Sequence, residues 1–478
     1  FSTHNEKKTM RCYRANVLMA VAAMVSLRPL MTMAEGRVQT QDDSDAASHL
    51  KYSNGKACPT YGCPLYPVDI VQQPPKDPTH NQRHPSGVLQ SLAGIRNSTR
   101  QELVSQQSTS DLTTLSSCAS YNQATLTMTG FKGGSLDAQI NQDRSFVVSP
   151  YYIGDTVPRT LLGVMDGHAA RGELISEYVV TELPKLLGQR LQEALQPQVG
   201  VVDDLVSTTK RVLSQVFIEL DQLVPGDPTG GCTASVVLLQ GDTIYIANAG
   251  DSVSMIGVYQ KSTKTTQIVY TSREDKPHLP DERQRVEEAG GYVYVPVRGT
   301  SRVVYVNPRT GAQTGLAMSR SIGDWSFGTL GVVPDPIVDA IHIPTLLQNE
   351  TQKAITAQSE CWTVDEDGVV VKVAGKDCDD QQERPTVKDD FYIFAVSATD
   401  GMMDYVAKDG IMNVVAQSLF EPEGTHPATA CELLVNAAAQ GWDKYRQGRY
   451  RDDIAIAMAT LREPPVVDAE EKRDESST

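Results

Sequence analysis

Carboxylates recur in this sequence at the ends of apolar runs. Asp143 begins one in "NQDRSFVV". Asp166 ends one in "LLGVMDGH", Asp251 in "TIYIANAGDS" and Asp400 in "FYIFAVSATDG". Asp452 and Asp453 begin another in "RDDIAIAMATL". In antiparallel sheets the starts of some strands and the ends of others lie along one rim. Acids far apart in sequence can therefore meet there. Carboxylates brought together repel unless cations neutralise them. Oxygen donors with no companion Cys or His cluster point to magnesium or manganese. Each acid also has a plainer reading. Asp-Gly at 166 and 400 is common turn chemistry. Asp251 could cap a turn, and Asp452 with Asp453 could be a solvated hairpin start.

The elements that would position these residues are short strands and a few long helices. "TLLGVM", "ASVVLL", "TIYIANA", "FYIFAV" and "DIAIAMATL" are apolar, short and bounded by turn residues, as strands are. "LISEYVVTELPKLLGQRLQEAL", "LVSTTKRVLSQVFIELDQLV" and "PATACELLVNAAAQGW" repeat apolar residues at helical spacing. Helices and strands do not alternate strictly. That favours an α+β layered architecture with antiparallel sheets.

In chain order, "NQDRSF", "GVMDGHAARGE", "GGCTASVVLLQGDTIYIANAGDS", "DKPHLPDERQRVEEAGGYVY", "GLAMSRSIGDWSF", "VVPDPIV", "FAVSATDGMMDYV" and "YRDDIAIAMATL" resemble the metal-dependent serine/threonine protein phosphatases of the type-2C family. The resemblance runs from about Thr129 to Leu461. It implies a four-layer α-β-β-α sandwich with two central antiparallel sheets and a metal site at one edge. It implies two Mg2+ or Mn2+ ions bridged by Asp166, with the Gly167 carbonyl, Asp400 and Asp452 as further ligands. Asp143 would act through the second ion's water shell, and Asp251 would help hold a weaker third ion. His168 matches the imidazole that protonates the departing alcohol. The implied activity is hydrolysis of phosphoserine and phosphothreonine in proteins by a metal-activated water. A catalytically weak member that binds phosphoproteins as a regulator is the alternative, and a hydrolase of small phosphate esters is a third reading. No phosphoenzyme is called for, since a metal-activated water would attack phosphorus directly. The resemblance also implies that Arg320 and Ser321–Asp324 organise the strand region beneath the site, and that the 275–291 segment forms a flap beside it.

The pattern departs in three places. Where the family often carries a phosphate-binding arginine, this chain has Ala138, which leaves Lys132 or Arg144 as candidate substitutes and the phosphate-binding residue unassigned. Ala169 follows His168 where glycine is usual. Val253 stands where arginine is frequent.

A formal net charge of −16 argues against a phosphate-backbone partner, so no nucleic acid is expected. The resemblance implies a phosphoprotein substrate; a monomer and no stable membrane span are expected as well. Residues 1–36 carry Arg11 and Arg14 before an apolar run, Val17–Val25, like a signal or transit peptide. The secretory pathway or another organelle is thus the expected destination, with a mitochondrial or cytoplasmic location as the alternative. Residues 37–115 have linker composition, 116–462 form the folded domain with an insertion at 343–390, and 463–478 form an acidic tail. The sequons at Asn97 and Asn349 agree with secretion. One close pair, Cys58 and Cys63, is a weak zinc signal, since structural zinc needs four ligands. A local disulfide or two unrelated thiols is the expectation ahead of zinc. Cys361 and Cys378 flank a hairpin-like stretch and could be bridged.

Overall fold

The computed structural model describes residues 122–135, 138–196, 204–225, 230–358 and 390–463, with four short strands outside them. The presequence, the Cys58/Cys63 pair, Asn97, Cys378 and residues 464–478 lie outside the described residues.

Two antiparallel sheets form the centre. The first has the order β1 (Pro64–Leu65), β4 (Asp143–Tyr151), β5 (Arg159–His168), β7 (Ala234–Gln240), β8 (Thr243–Ala249), β15 (Ile337–His342). Two short strands, β6 (Gly231–Cys232) and β14 (Ile322–Gly323), extend it beside the end of β5. The second sheet has the order β10 (Thr265–Thr271), β9 (Val253–Gln260), β18 (Phe391–Ala398), β19 (Ile454–Arg462), β3 (Gln123–Met128), β2 (Asp69–Ile70). Only the β2–β3 pairing is parallel there. β1 and β2 fall inside the stretch of linker composition, where no element is predicted.

The alternation of side chains along each strand builds the layers. On β4, Phe146 and Val148 face one way and Val147 the other; on β5, Leu161 and Leu162 divide likewise. Phe146, Val148 and Leu161 pack with Val179, Leu183, Val216 and Phe217 of helices α1 (Gly172–Ala194) and α2 (Leu205–Leu223). Val147 and Leu162 join Ile246, Ile256, Ile393 and Ala457 in a core between the sheets. The outer face of the second sheet, with Met255, Phe394 and Met458, packs on Val415 of α7 (Lys408–Phe420) and Leu434 and Val435 of α8 (Pro427–Arg446). Three cores separate four layers, so the chain is an α-β-β-α sandwich. Strands covered on both faces are apolar almost throughout, which is why "TLLGVM" and "TIYIANA" lack a polar stripe.

The 343–390 stretch begins with a helix, α5 (Ile343–Gln358), that the sequence reading did not include. Ile343 and Leu347 bury one turn of it against the inter-sheet core. The hairpin of β16 (Glu360–Val364) and β17 (Val370–Ala374) follows.

A small subdomain sits between β10 and β15. Helix α3 (Pro280–Glu288) and the one-turn helix α4 (Trp325–Gly328) pack on a sheet of β11 (Tyr292–Tyr294), β12 (Arg302–Val306) and β13 (Gln313–Leu316). Its anchor is the buried Glu282, which accepts hydrogen bonds from Arg273, Arg285, Arg320 and the Ser319 hydroxyl. Burial opposes the Glu282 charge, yet Arg285, Arg320 and Ser319 outweigh it and bring its pKa down to about 2. Glu282→Gln should cost about 2–4 kcal/mol of stability. Breaking a fully buried pair costs roughly 3–5 kcal/mol, and the arginines here keep some water. Because the folded pKa is depressed, the stabilisation is present above the ordinary glutamate value and fades as pH falls toward 2. Urea unfolding at neutral and acid pH checks this: a deficit that does not shrink in acid would contradict it.

Candidate metal centre

Strand registers bring the acids to one rim. Asp143 at the start of β4 lies opposite Asp166 near the end of β5. In the second sheet, Val253 pairs with Ala398 and Ala398 with Ile456, so the start of β9, the end of β18 and the start of β19 coincide. Asp251 precedes the first, Asp400 follows the second, and Asp452 precedes the third. The ligand oxygens of Asp166, Asp251 and Asp400 lie within 4.8 Å of one another. Asp452 stands close enough to depress ionisation of both Asp166 and Asp400.

Neither Asp-Gly pair is a left-handed turn. Gly167 lies within β5, and Gly401 lies in the one-turn helix α6 (Asp400–Met403). Glycine is needed there for close approach. A Cβ on Gly167 would stand 2.4 Å from the Gln142 carbonyl oxygen, and one on Gly401 would stand 1.9 Å from that of Asp453. Both contacts draw neighbouring backbone tight against the acid-bearing rim.

The electrostatics fit divalent cations. Burial, then repulsion from Asp143, Asp400, Asp452 and Asp251, holds the Asp166 pKa well above the usual carboxylate range. Burial, with Asp251 and Asp452 adding to it, pushes Asp400 to about 7. Burial and Asp453 raise Asp143. One oxygen of Asp251 is buried with no hydrogen-bond partner. The donors are all hard oxygens, so they suit Mg2+ or Mn2+. Asp166, Asp251 and Asp400 could hold such ions, and Asp452 stands close enough to join them. Two ammonium groups face the cluster. Lys132 Nζ is 3.1 Å from both Asp452 and Asp453. Lys276 Nζ, from the flap, is 2.7 Å from Asp251. Burial opposes both charges, but the facing aspartates outweigh it and raise both lysines above their ordinary pKa.

Supporting contacts fix the rim. The Thr399 hydroxyl donates to Asp143 at 2.7 Å and accepts from the Ala455 N–H, tying β4 to β19. Asp453, unlike its half-exposed neighbour Asp452, is buried and accepts the backbone N–H groups of Gly130 and Gln142. The adjacent acids thus divide: one faces the cluster, the other ties the loop before β4 to the start of β19.

His168 points its Nε2 at Asp324, 2.6 Å away. Asp324 is fully buried and also accepts from the Ser321 hydroxyl. Burial opposes protonation of His168, but Asp324 outweighs it and raises the imidazole pKa. Its Nδ1 makes no hydrogen bond within the protein. The "SIGD" segment therefore reaches the imidazole itself, beyond the strand-supporting role expected for it. Thr399, Lys276, the contact of Asp324 with His168, the tying role of Asp453 and the closeness of Lys132 to two acids are the features that sequence reasoning missed.

The three departures also find places. Ala138 is exposed and offers no side-chain donor. Arg144 is spent on Glu177 and on the carbonyls of Asn141 and Asp143. Val253 is buried in the outer core of the second sheet. Ala169 adopts a φ of 61°, a left-handed conformation that costs a non-glycine residue roughly 1–2 kcal/mol. Among the described residues, no helix is long and apolar enough to cross a membrane.

A family model described as protein phosphatase 2C matches residues 127–441, more than half of the chain. "Probable protein phosphatase 2C 72" of Arabidopsis thaliana is 26% identical over 68% of this chain and 82% of its own length. "Protein phosphatase 1L" of Bos taurus is 31% identical over 42% of this chain and 51% of its own. Among solved structures, the serine-threonine phosphatase 2C from Toxoplasma gondii aligns with a TM-score of 0.49 at 17% identity, covering 72% of this chain and 96% of that one.

Proposed function

Because the chain belongs to the protein phosphatase 2C family, we propose that it is an active Mg2+- or Mn2+-dependent hydrolase of phosphoserine and phosphothreonine in proteins. The observation that carries this reading is the convergence of Asp166, Asp251 and Asp400. When bound, the ions supply a water that ionises near neutral pH and neutralise the phosphoryl oxygens. Asp166, the Gly167 carbonyl, Asp400 and Asp452 hold them, and Asp251 serves a weaker third. Thr399 keeps Asp143 oriented toward the same rim. His168 holds a proton on Nδ1 for the departing serine or threonine oxygen, a poor leaving group without one. Asp324 fixes the ring through Nε2 and stabilises its charged form.

Mn2+-dependent release of phosphate from a phosphothreonine peptide by the full chain tests the reading. A regulator that binds phosphoproteins without turnover is the second reading, favoured by the donor-free side chain of Ala138. It predicts peptide binding with no phosphate release. A preference for small esters over the peptide would favour the third.

Asp324→Asn should lower turnover about 10–100-fold, the usual cost of removing a partner that orients a functional group. His168 carries a raised pKa, so the proton-bearing form persists until pH climbs through that value. Loss of the Asp324 charge should move the alkaline limb of the pH–rate profile downward. An unmoved limb would mean that Asp324 does not tune the imidazole.

A further inference from the structure

We propose that Lys132 is the phosphate-binding residue of this site, gripping the phosphoryl group of the substrate from the loop between β3 and β4. The assignment rests on the phosphatase reading above.

A phosphoryl dianion entering an acidic rim is held more tightly when a cationic side chain adds to whatever ions the carboxylates hold. Candidates around the rim are few. Arg144 is committed to Glu177 and two carbonyls. Lys276 belongs to the flap and sits on Asp251. Lys132 differs in three respects. Its ammonium reaches the inner face of the rim, 3.1 Å from Asp452 and from Asp453. Its side chain stays 37% exposed, so it opens to the solvent from which substrate arrives. Its backbone is fixed: the Lys132 N–H donates to Gln139 Oε1, and Phe131 exchanges two backbone hydrogen bonds with Arg451, next to Asp452. The same Gln139 amide donates to the carbonyls of Gly133 and Ser135, which closes the loop on itself.

The loop thus delivers one tethered cation beside an acid cluster. Divalent ions on Asp452 and its neighbours weaken the hold of those carboxylates on the ammonium, because like charges compete for one anion. Asp453 remains beside the ammonium, and the substrate phosphoryl group becomes the second anion within its reach. Lysine contributes a point charge, whereas arginine would give a paired planar grip.

The test uses the full chain, with Lys132→Met to remove the charge and Lys132→Arg to retain it. Two constants are measured in Mn2+: KM for a phosphothreonine peptide and the inhibition constant of inorganic phosphate. Mn2+ binding and phosphate binding are also measured by calorimetry. Lys132→Met should raise KM and weaken phosphate about 10–100-fold, the size of a charge-assisted hydrogen bond. Turnover should change far less. Mn2+ affinity should hold or improve, since a competing ammonium is gone. Lys132→Arg should restore most of the phosphate affinity. Unchanged phosphate binding in Lys132→Met overturns the proposal and leaves Lys132 a counter-ion of the acids. The same holds if the loss appears instead in Arg171→Ala, which removes the exposed cation three residues past His168. Absence of turnover in the wild-type protein would count against the phosphatase reading alone, because phosphate calorimetry still decides the role of Lys132.

Discussion

Asp166→Ala and Asp400→Ala are each expected to lose Mn2+-dependent phosphopeptide hydrolysis by on the order of 10³-fold or more. Removing an outer-shell partner costs roughly 10–100-fold, and removing a proposed ligand itself must cost more. The fold should survive, because neither carboxylate supports a strand. Asp166 is held at its backbone by Thr233, whose hydroxyl accepts from the Asp166 N–H and whose own N–H meets the Asp166 carbonyl. Stability in chelator gives a second and opposite signature. Asp400 is raised to about 7 in the folded chain. A raised acid favours the folded state fully below its unfolded pKa, and that advantage drains away as pH climbs toward 7. The metal-free protein should therefore weaken between about pH 4 and pH 7, and Asp400→Ala should flatten that decline. Melting curves with and without Mn2+ check both halves. Near-normal turnover in either variant would remove the case for a two-ion site.

His168→Ala should cost on the order of 10²–10⁴-fold on phosphoserine peptides, the range for a general acid. It should cost much less on p-nitrophenyl phosphate, whose phenolate leaves without a proton. The structure sharpens this expectation. Nε2 is taken by Asp324, and Nδ1 is buried without a hydrogen-bond partner, so Nδ1 is the nitrogen left to hold the proton. Equal losses on both substrates would make His168 a support for the end of β5 and no proton donor.

Much of the layering was legible because both sheets are covered on two faces. Uniformly apolar strands ending on carboxylates mark the rim as well as the core. What stayed hidden depended on contacts between distant segments. The bond between His168 and Asp324 spans 156 positions, and no local pattern announces it. Lys132 reads as an ordinary loop lysine until the loop folds onto Arg451. Asp-Gly at 166 and 400 left a turn open as an explanation, since glycine serves a left-handed φ and a close approach equally well. Only the neighbouring backbone of Gln142 and Asp453 decides for the latter. Helix α5 escaped notice because "IPTLLQNETQKAITAQ" carries a short apolar stripe amid polar and β-branched residues. Two side chains, Ile343 and Leu347, fasten it to the inter-sheet core.

The rim acids come from both sheets: Asp166 from the first, Asp400 and Asp452 from the second. A cation held jointly by them would be a cross-link between two bodies otherwise joined by a layer that includes the small side chains of Ala395, Ala455 and Ala457. Separation of the sheets would then require release of the cation, which would place ion loss on the route to the unfolded chain. Occupancy of the centre would slow unfolding and proteolysis as well as raise equilibrium stability. The lifetime of the protein in a cell would follow the local supply of magnesium or manganese, even in periods when it meets no substrate.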